Sequence, residues 1–245
     1  MPTAPPAPFQ PDHVEVASPG EMALVQRFLG PHPAPNPEAD GLDEPQAFHV
    51  EMGESCTLDV HFHELDQFQV MVSGTGRLGR HEVRAGAVHY TDAHTPYGPI
   101  VAGPPGLGYL TLRRTSDTRT LYMPASRERL GAARADQPAS PHRNIEFDPQ
   151  SCPNEGPCWH LDEPDGVRIG HVSITAGASA HIALPFPREA YLVITEGTAY
   201  TDVAGQREWL SLVTFLPAAA DPVALTAGAR DVTALVLMFG SHPGT

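Results

Sequence analysis

His61-Phe62-His63-Glu64-Leu65-Asp66-Gln67, with Gly74 seven residues further on, is the stretch on which the reading of this chain turns. The segments flanking its acidic centre, TLDVHFH (57–63) and QFQVMVS (67–73), alternate apolar and polar residues as half-buried strands do, so the centre reads as a hairpin turn. Alternate side chains of a strand share a face, which puts His61 and His63 on one side, about 7 Å apart. Two imidazoles so placed can approach a single metal ion if neighbouring strands add ligands. Gln67 opens the second strand and brings an amide oxygen to the same point. Thirteen histidines in 245 residues make a chance His-x-His ordinary, so the weight rests on the hairpin around the pair.

The same texture extends in both directions. FHVEM (48–52), RLGRHEVR (77–84), AVHYTD (87–92) and GLGYLTLRR (106–114) are further strand candidates, separated by Gly, Pro and Asp turns at the spacing of a sandwich or barrel. A second strand-rich region follows with VRIGHVSITAG (167–177), REAYLVITEGTAYTDV (188–203), WLSLVTFLP (209–217), PVALTAG (222–228) and DVTALVLMF (231–239). Both regions carry a strand ending in a Gly-Thr turn (Gly74-Thr75, Gly197-Thr198), and both close on a long apolar strand, which marks a weak internal repeat. The expected organisation is a Pro-rich arm over 1–45, a first β-unit over 46–125, a connector over 126–165 and a second β-unit over 166–245. The arm holds eleven prolines and one expected helix at Glu21–Leu29, between Ser18-Pro19 and Gly30-Pro31. The connector holds a second short helix at Ser126–Ala133.

Composition narrows the chemistry. The 27 prolines and 22 glycines disfavour a helix bundle and favour an all-β chain with many turns. All 15 basic residues are arginine, which excludes Schiff-base, pyridoxal-phosphate and Walker-type chemistries that need a lysine amine. A net charge of −14 without an arginine stripe argues against nucleic acid as a partner. No apolar run is long enough to cross a bilayer, the N-terminus does not read as a signal peptide, and three cysteines make no disulfide framework, so a cytoplasmic location without membrane contact is expected.

His61-x-His63, three residues, Gln67, six residues and Gly74, followed by Gly86, AVHYT and Asp92, resembles the two motifs of the cupin superfamily. That resemblance implies an all-β chain of two jelly-roll barrels, a homodimer, and a divalent transition metal (iron, manganese, nickel or zinc) held by His61, His63 and Gln67. Gln67 stands where the motif has glutamate and Tyr97 where it has a histidine. His94, three residues before Tyr97, is the substitute ligand or catalytic group on this alignment, and Tyr97 a general acid or substrate-orienting group. Aligning the second unit on Gly197 places Leu184, Phe186 and Ala190 at the ligand positions, so that barrel is expected to hold no metal.

Other polar residues carry less weight. His49, His89 and Asp66 are alternative site residues, and Arg77, Arg80, Arg84, Arg113 and Arg114 are candidates for holding a carboxylate. CPNEGPCWH brings Cys152, Cys158 and His160 together without a fourth partner at knuckle spacing, so a loop is expected there in preference to zinc. The function implied is a metal-dependent enzyme, a dioxygenase or a lyase or isomerase, on an oxygen-rich small molecule. The alternatives are a metal-free small-molecule sensor, or an isomerase working by acid–base chemistry between His61 or His63 and Tyr97.

Overall fold

Backbone pairing organises the chain around two long antiparallel ladders, one in each half. The computed structural model describes residues 18–31, 43–135, 143–146, 156–182, 184, 189–203, 206–218 and 222–240. The chain divides into two compact units that part between 146 and 147.

The first unit contains β1 (Met22–Leu29), β2 (Gln46–Met52), β3 (Thr57–Leu58), β4 (His61–Phe62), β5 (Gln67–Leu78), β6 (His81–Arg84), β7 (Ala87–Thr91), β8 (Ile100–Arg113), β9 (Leu121–Tyr122), α1 (Arg127–Ala133) and β10 (Arg143–Glu146). Its main sheet runs β1-β2-β8-β5-β7-β10, with β3 on β8 and β6 on β5, while β4 pairs with β9. Phe48, Val50, Met71, Ile100, Leu107 and Tyr109 are among the buried residues of one apolar cluster that supports this sheet. Gly74 needs its glycine: its φ is +70°, and a Cβ there would lie 2.1 Å from the Gly106 carbonyl oxygen.

Residues 22–29 are a strand and not the helix expected at Glu21–Leu29. β1 pairs along its length with β2, from Met22 opposite Met52 to Leu29 opposite Ala47. Nine residues are too few for a helix to hold itself together in water, and an open sheet edge offers a full ladder of backbone partners instead. The rest of the arm, 1–17 and 32–42, lies outside the described residues. The expected strand over 57–63 is broken into β3 and β4 by a bend at Asp59-Val60, where Val60 O accepts from Met123 N at 2.8 Å. In the connector α1 forms as read, while β10 adds to β7.

The second unit contains β11 (Cys158–Asp162), β12 (Arg168–Ile174), β13 (Ser179–Ile182), β14 (Ala190–Glu196), β15 (Ala199–Val203), β16 (Gln206–Trp209), β17 (Val213–Leu216), β18 (Val223–Ala227) and β19 (Val232–Met238). A five-stranded sheet, β11-β12-β19-β14-β17, and a four-stranded sheet, β13-β18-β15-β16, share one core of alternating residues such as Val172, Ala180, Leu192, Leu225 and Val236. The strand order β1-β2-β8-β5-β7 of the first unit recurs here as β11-β12-β19-β14-β17, which is the internal repeat in three dimensions. The architecture is all-β. Among the described residues no helix is long and apolar enough to cross a membrane.

Candidate active site

The first unit encloses a cavity of about 200 Å³, lined by side chains that include His61, His63, Gln67, Tyr97, Arg113 and Asp117. Each arrives for a local reason. β4 carries His61 and is held against Tyr97 by a two-way backbone bridge, His61 N to Tyr97 O at 3.2 Å and Tyr97 N to His61 O at 2.9 Å. Gln67 begins β5 and sits in register with Arg113 at the end of β8. Asp117 follows on the turn after β8. His61, His63, Gln67, Tyr97, Arg113 and Asp117 are all buried.

The hydrogen bonds fix the tautomers. His61 Nδ1 lies 2.6 Å from the Asp59 carbonyl oxygen, which only accepts, so that nitrogen carries the proton. Its Nε2 therefore presents a lone pair inward, where the Tyr97 hydroxyl donates to it over 2.7 Å. The same hydroxyl accepts from the Gln67 amide nitrogen at 2.6 Å. His63 Nδ1 donates to Asp117 Oδ2 over 3.0 Å, which leaves Nε2 without a proton. An imidazole held from behind by a carbonyl or carboxylate, with its other nitrogen aimed into a cavity, is how metal-ligating histidines are oriented. The two rings meet edge to face, with centroids 5.4 Å apart.

Arg113 is the residue at the centre. Its Nε donates to Gln67 Oε1 at 3.1 Å, and Nη1 donates to Gln46 Oε1 at 2.9 Å and to the Asp117 carbonyl. Its Nη2 lies 3.3 Å from His63 Nδ1 and 3.2 Å from Nε2. A donor on the Nε2 lone-pair axis would be far from Nδ1, so these near-equal distances place Nη2 off that axis. Two neutral imidazole nitrogens and an amide oxygen are a donor set that suits a divalent transition ion, and in that sense the residues fit one.

The charges follow. Burial drives His61 down to about 3, helped by the neighbouring His63 and Arg113. Burial and then the Arg113 charge take His63 down to about 4, against the opposing pull of Asp117. Burial alone would raise the Asp117 carboxyl, but the bond from His63 and the Arg113 charge outweigh it and hold the group below its ordinary value. Burial pushes the Tyr97 hydroxyl up, so it stays a proton donor. The cavity wall carries two arginines, Arg113 and Arg119, against one carboxylate, Asp117. Arg119 is itself paired with Glu64 at 2.6 Å, so the buried charge of the wall is Arg113 set against Asp117.

The sequence candidates divide cleanly. His61, His63, Gln67, Tyr97 and Arg113 converge on the cavity, whereas His94 does not line it. The His94 backbone N–H bonds to His63 O at 2.8 Å, but its ring packs toward Phe62 at a centroid distance of 6.4 Å. Its φ of +56° lies in the left-handed region. His49 pairs with Glu51 at 3.0 Å and His89 with Gln69 at 3.0 Å, while Asp66 accepts from Ala93 N at 2.8 Å and from Arg114 at 3.3 Å. Asp117 was missing from the sequence reading. It lies 54 residues from His63 in a turn with no strand pattern, and only the fold brings the two together.

Bacillus subtilis oxalate decarboxylase superposes with a TM-score of 0.57 at 13% identity, over 81% of this chain and 69% of the other. Lactobacillus farciminis oxalate decarboxylase, solved as a formate complex, gives 0.55 at 14%, over 92% and 83%. The YhaK protein from Escherichia coli gives 0.52 at 14%, over 87% and 93%. The chain has a cupin-superfamily fold. No family model and no curated protein matches the sequence. At these identities the likeness concerns the all-β fold alone, and the chemistry rests on the side chains just described. In the second cupin barrel, Leu184 packs on the apolar core and Ala190 belongs to it, while Phe186 lies outside the described residues.

Proposed function

We propose that the first cupin barrel is an enzyme site for a small, carboxylate-bearing, oxygen-rich molecule, working by lyase or isomerase chemistry with a divalent transition metal. The observation that carries the reading is the pair of inward-facing, unprotonated Nε2 atoms, each held from behind, by Asp59 O for His61 and by Asp117 for His63. His61, His63 and Gln67 are the residues that would hold the ion. The metal, when bound, supplies Lewis acidity toward a substrate oxygen. Arg113 binds a substrate carboxylate, Tyr97 donates a proton from its hydroxyl, and the apolar wall formed by Phe48, Val50 and Leu58 limits water. Dioxygenation uses the same donor set and is distinguished by consumption of oxygen. The reading extends to a cytoplasmic homodimer, checked by cell fractionation and sedimentation.

Charge makes metal and substrate interdependent. A divalent ion held by His61, His63 and Gln67 would be opposed by the positive charge of Arg113, whose Nη2 lies 3.2 Å from His63 Nε2. An anionic carboxylate between the two cations removes that opposition. The same repulsion, together with the engagement of Gln67 Oε1 by Arg113, favours a second reading: a metal-free site in which the His61–Tyr97 pair moves the proton and the buried Arg113 supplies the positive charge.

Elemental analysis of the protein, with and without added oxalate as a dicarboxylate probe, separates the two. Metal near one per chain that rises with oxalate and is lost in His61→Ala/His63→Ala supports the metalloenzyme. Metal well below one per chain under both conditions, with uptake restored only in Arg113→Met, overturns it in favour of the metal-free site.

A further inference from the structure

A second cluster lies in the other barrel. Cys158 stands directly opposite His171 across the β11–β12 pair, and Trp159 stands opposite Gly170. The ladder resumes at Leu161 opposite Ile169, so His160 is the extra residue of a β-bulge. A bulge re-aims the side chain it adds. Here it brings His160 Nε2 within 2.7 Å of His171 Nδ1, with the two rings stacked at 4.9 Å and 10°. Gly170 permits the close approach of β11, because a Cβ there would lie 2.6 Å from the Cys158 carbonyl oxygen and 2.7 Å from the Trp159 ring. His171 is fully buried and alternates with Val172 and Ile174 of the core, so the cluster sits on the sheet face opposite that core. The sulfur of Cys158 and one nitrogen of each histidine all lie within 4.8 Å of one another.

Cys158 is disulfide-bonded, Cys56 is free and buried, and the chain's remaining cysteine, Cys152, lies outside the described residues. We propose that Cys158, His160 and His171 form a thiol-gated site for a borderline-soft divalent ion of the zinc class, closed by the disulfide and opened by reduction. One thiolate and two imidazoles are three of the four ligands such an ion takes, which leaves a position for water or an added ligand. The opening step balances: a dithiol reductant gives two electrons and two protons, becomes a disulfide itself, and leaves two thiols on this chain. The Cys158 thiol releases its proton to solvent as the sulfur binds the ion.

Cobalt(II) titrated into the full chain tests this, before and after reduction with a phosphine that ends as phosphine oxide using one water. A thiolate-to-cobalt charge-transfer band, saturating at one ion per chain, is expected after reduction and absent before it. His61→Ala/His63→Ala is expected to keep it, which separates this site from the first barrel. His160 is partly exposed, so His160→Ala should fold while weakening cobalt on the order of tenfold or more. No band in the reduced protein, the same band in Cys158→Ser, or unchanged affinity in His160→Ala overturns the proposal.

Discussion

The two barrels share a strand order and a register but not an interior. Gln67, Gln69, Thr111 and Arg113 of the first barrel occupy the ladder positions held by Ala190, Leu192, Val236 and Met238 in the second. In the first barrel, Gln67 opposite Arg113 builds half of the polar cavity; in the second, Ala190 opposite Met238 is plain core. The jelly roll therefore does not dictate a site. Its backbone hydrogen bonds satisfy themselves whichever side chains point inward, so one copy can keep a costly buried polar network while the other relaxes to aliphatic packing.

Exchanging the equivalent residues breaks this comparison most directly. Met238→Arg places a guanidinium in the aliphatic core, opposite Ala190 on β14, at a cost of about 5 kcal/mol or more. Amide-exchange protection across β12, β14 and β19 is expected to collapse while β5 and β8 keep theirs. The reverse change, Arg113→Met, removes the Arg113 donor from Gln67 Oε1, from the Asp117 carbonyl and, beside the Asp117 N–H that remains, from Gln46 Oε1, and is expected to cost about 3–5 kcal/mol in urea unfolding. It is also expected to abolish oxalate binding. A fully stable Arg113→Met would show that the network is optional, as it is in the second barrel.

Much of this contrast is readable from residue types. The period-2 runs give the strands, the two Gly-Thr turns give the repeat, and His61, His63 and Gln67 are visible because their spacing is local to one hairpin. Tyr97 is found through its place after Gly86, and it reaches the cavity. Arg113 is one of five arginines that pattern alone does not separate; its position at the end of β8, opposite Gln67, selects it. Asp117 and His171 stay hidden because their partners are 54 and 11 residues away and meet them only through sheet pairing. The Glu21–Leu29 segment misleads for the same reason: local propensity carries no information about a vacant sheet edge.

Acid sharpens the comparison at smaller scale. Folded His61 and His63 titrate at about 3 and about 4, below their ordinary 6.5. Between pH 6.5 and those values the unfolded chain takes up protons that the folded barrel refuses, so stability is full above 6.5 and falls as pH drops. The lowered Asp117 carboxyl acts in the same direction further down. Chelator-treated protein is expected to lose a few kcal/mol of first-barrel stability from pH 7 to pH 4. The aliphatic core of the second barrel has nothing to protonate, so exchange in β14 should change less than in β5. Equal losses would contradict the assignment of neutral buried imidazoles.

The smallest expected effect concerns α1, whose seven residues include none that is buried. Glu64, next to His63, accepts from Arg119 at 2.6 Å and from Arg129 at 2.7 and 2.8 Å, and this tethers the helix to the loop carrying the site. Arg119 and Arg129 are 39% and 48% exposed, so solvent screens both pairs and each is worth at most about 1 kcal/mol. Glu64→Gln should leave the urea midpoint of the first barrel nearly unchanged while amide exchange in Arg127–Ala133 quickens. If the midpoint falls with it, α1 belongs to the barrel's cooperative unit, and the first barrel differs from the second in more than its interior.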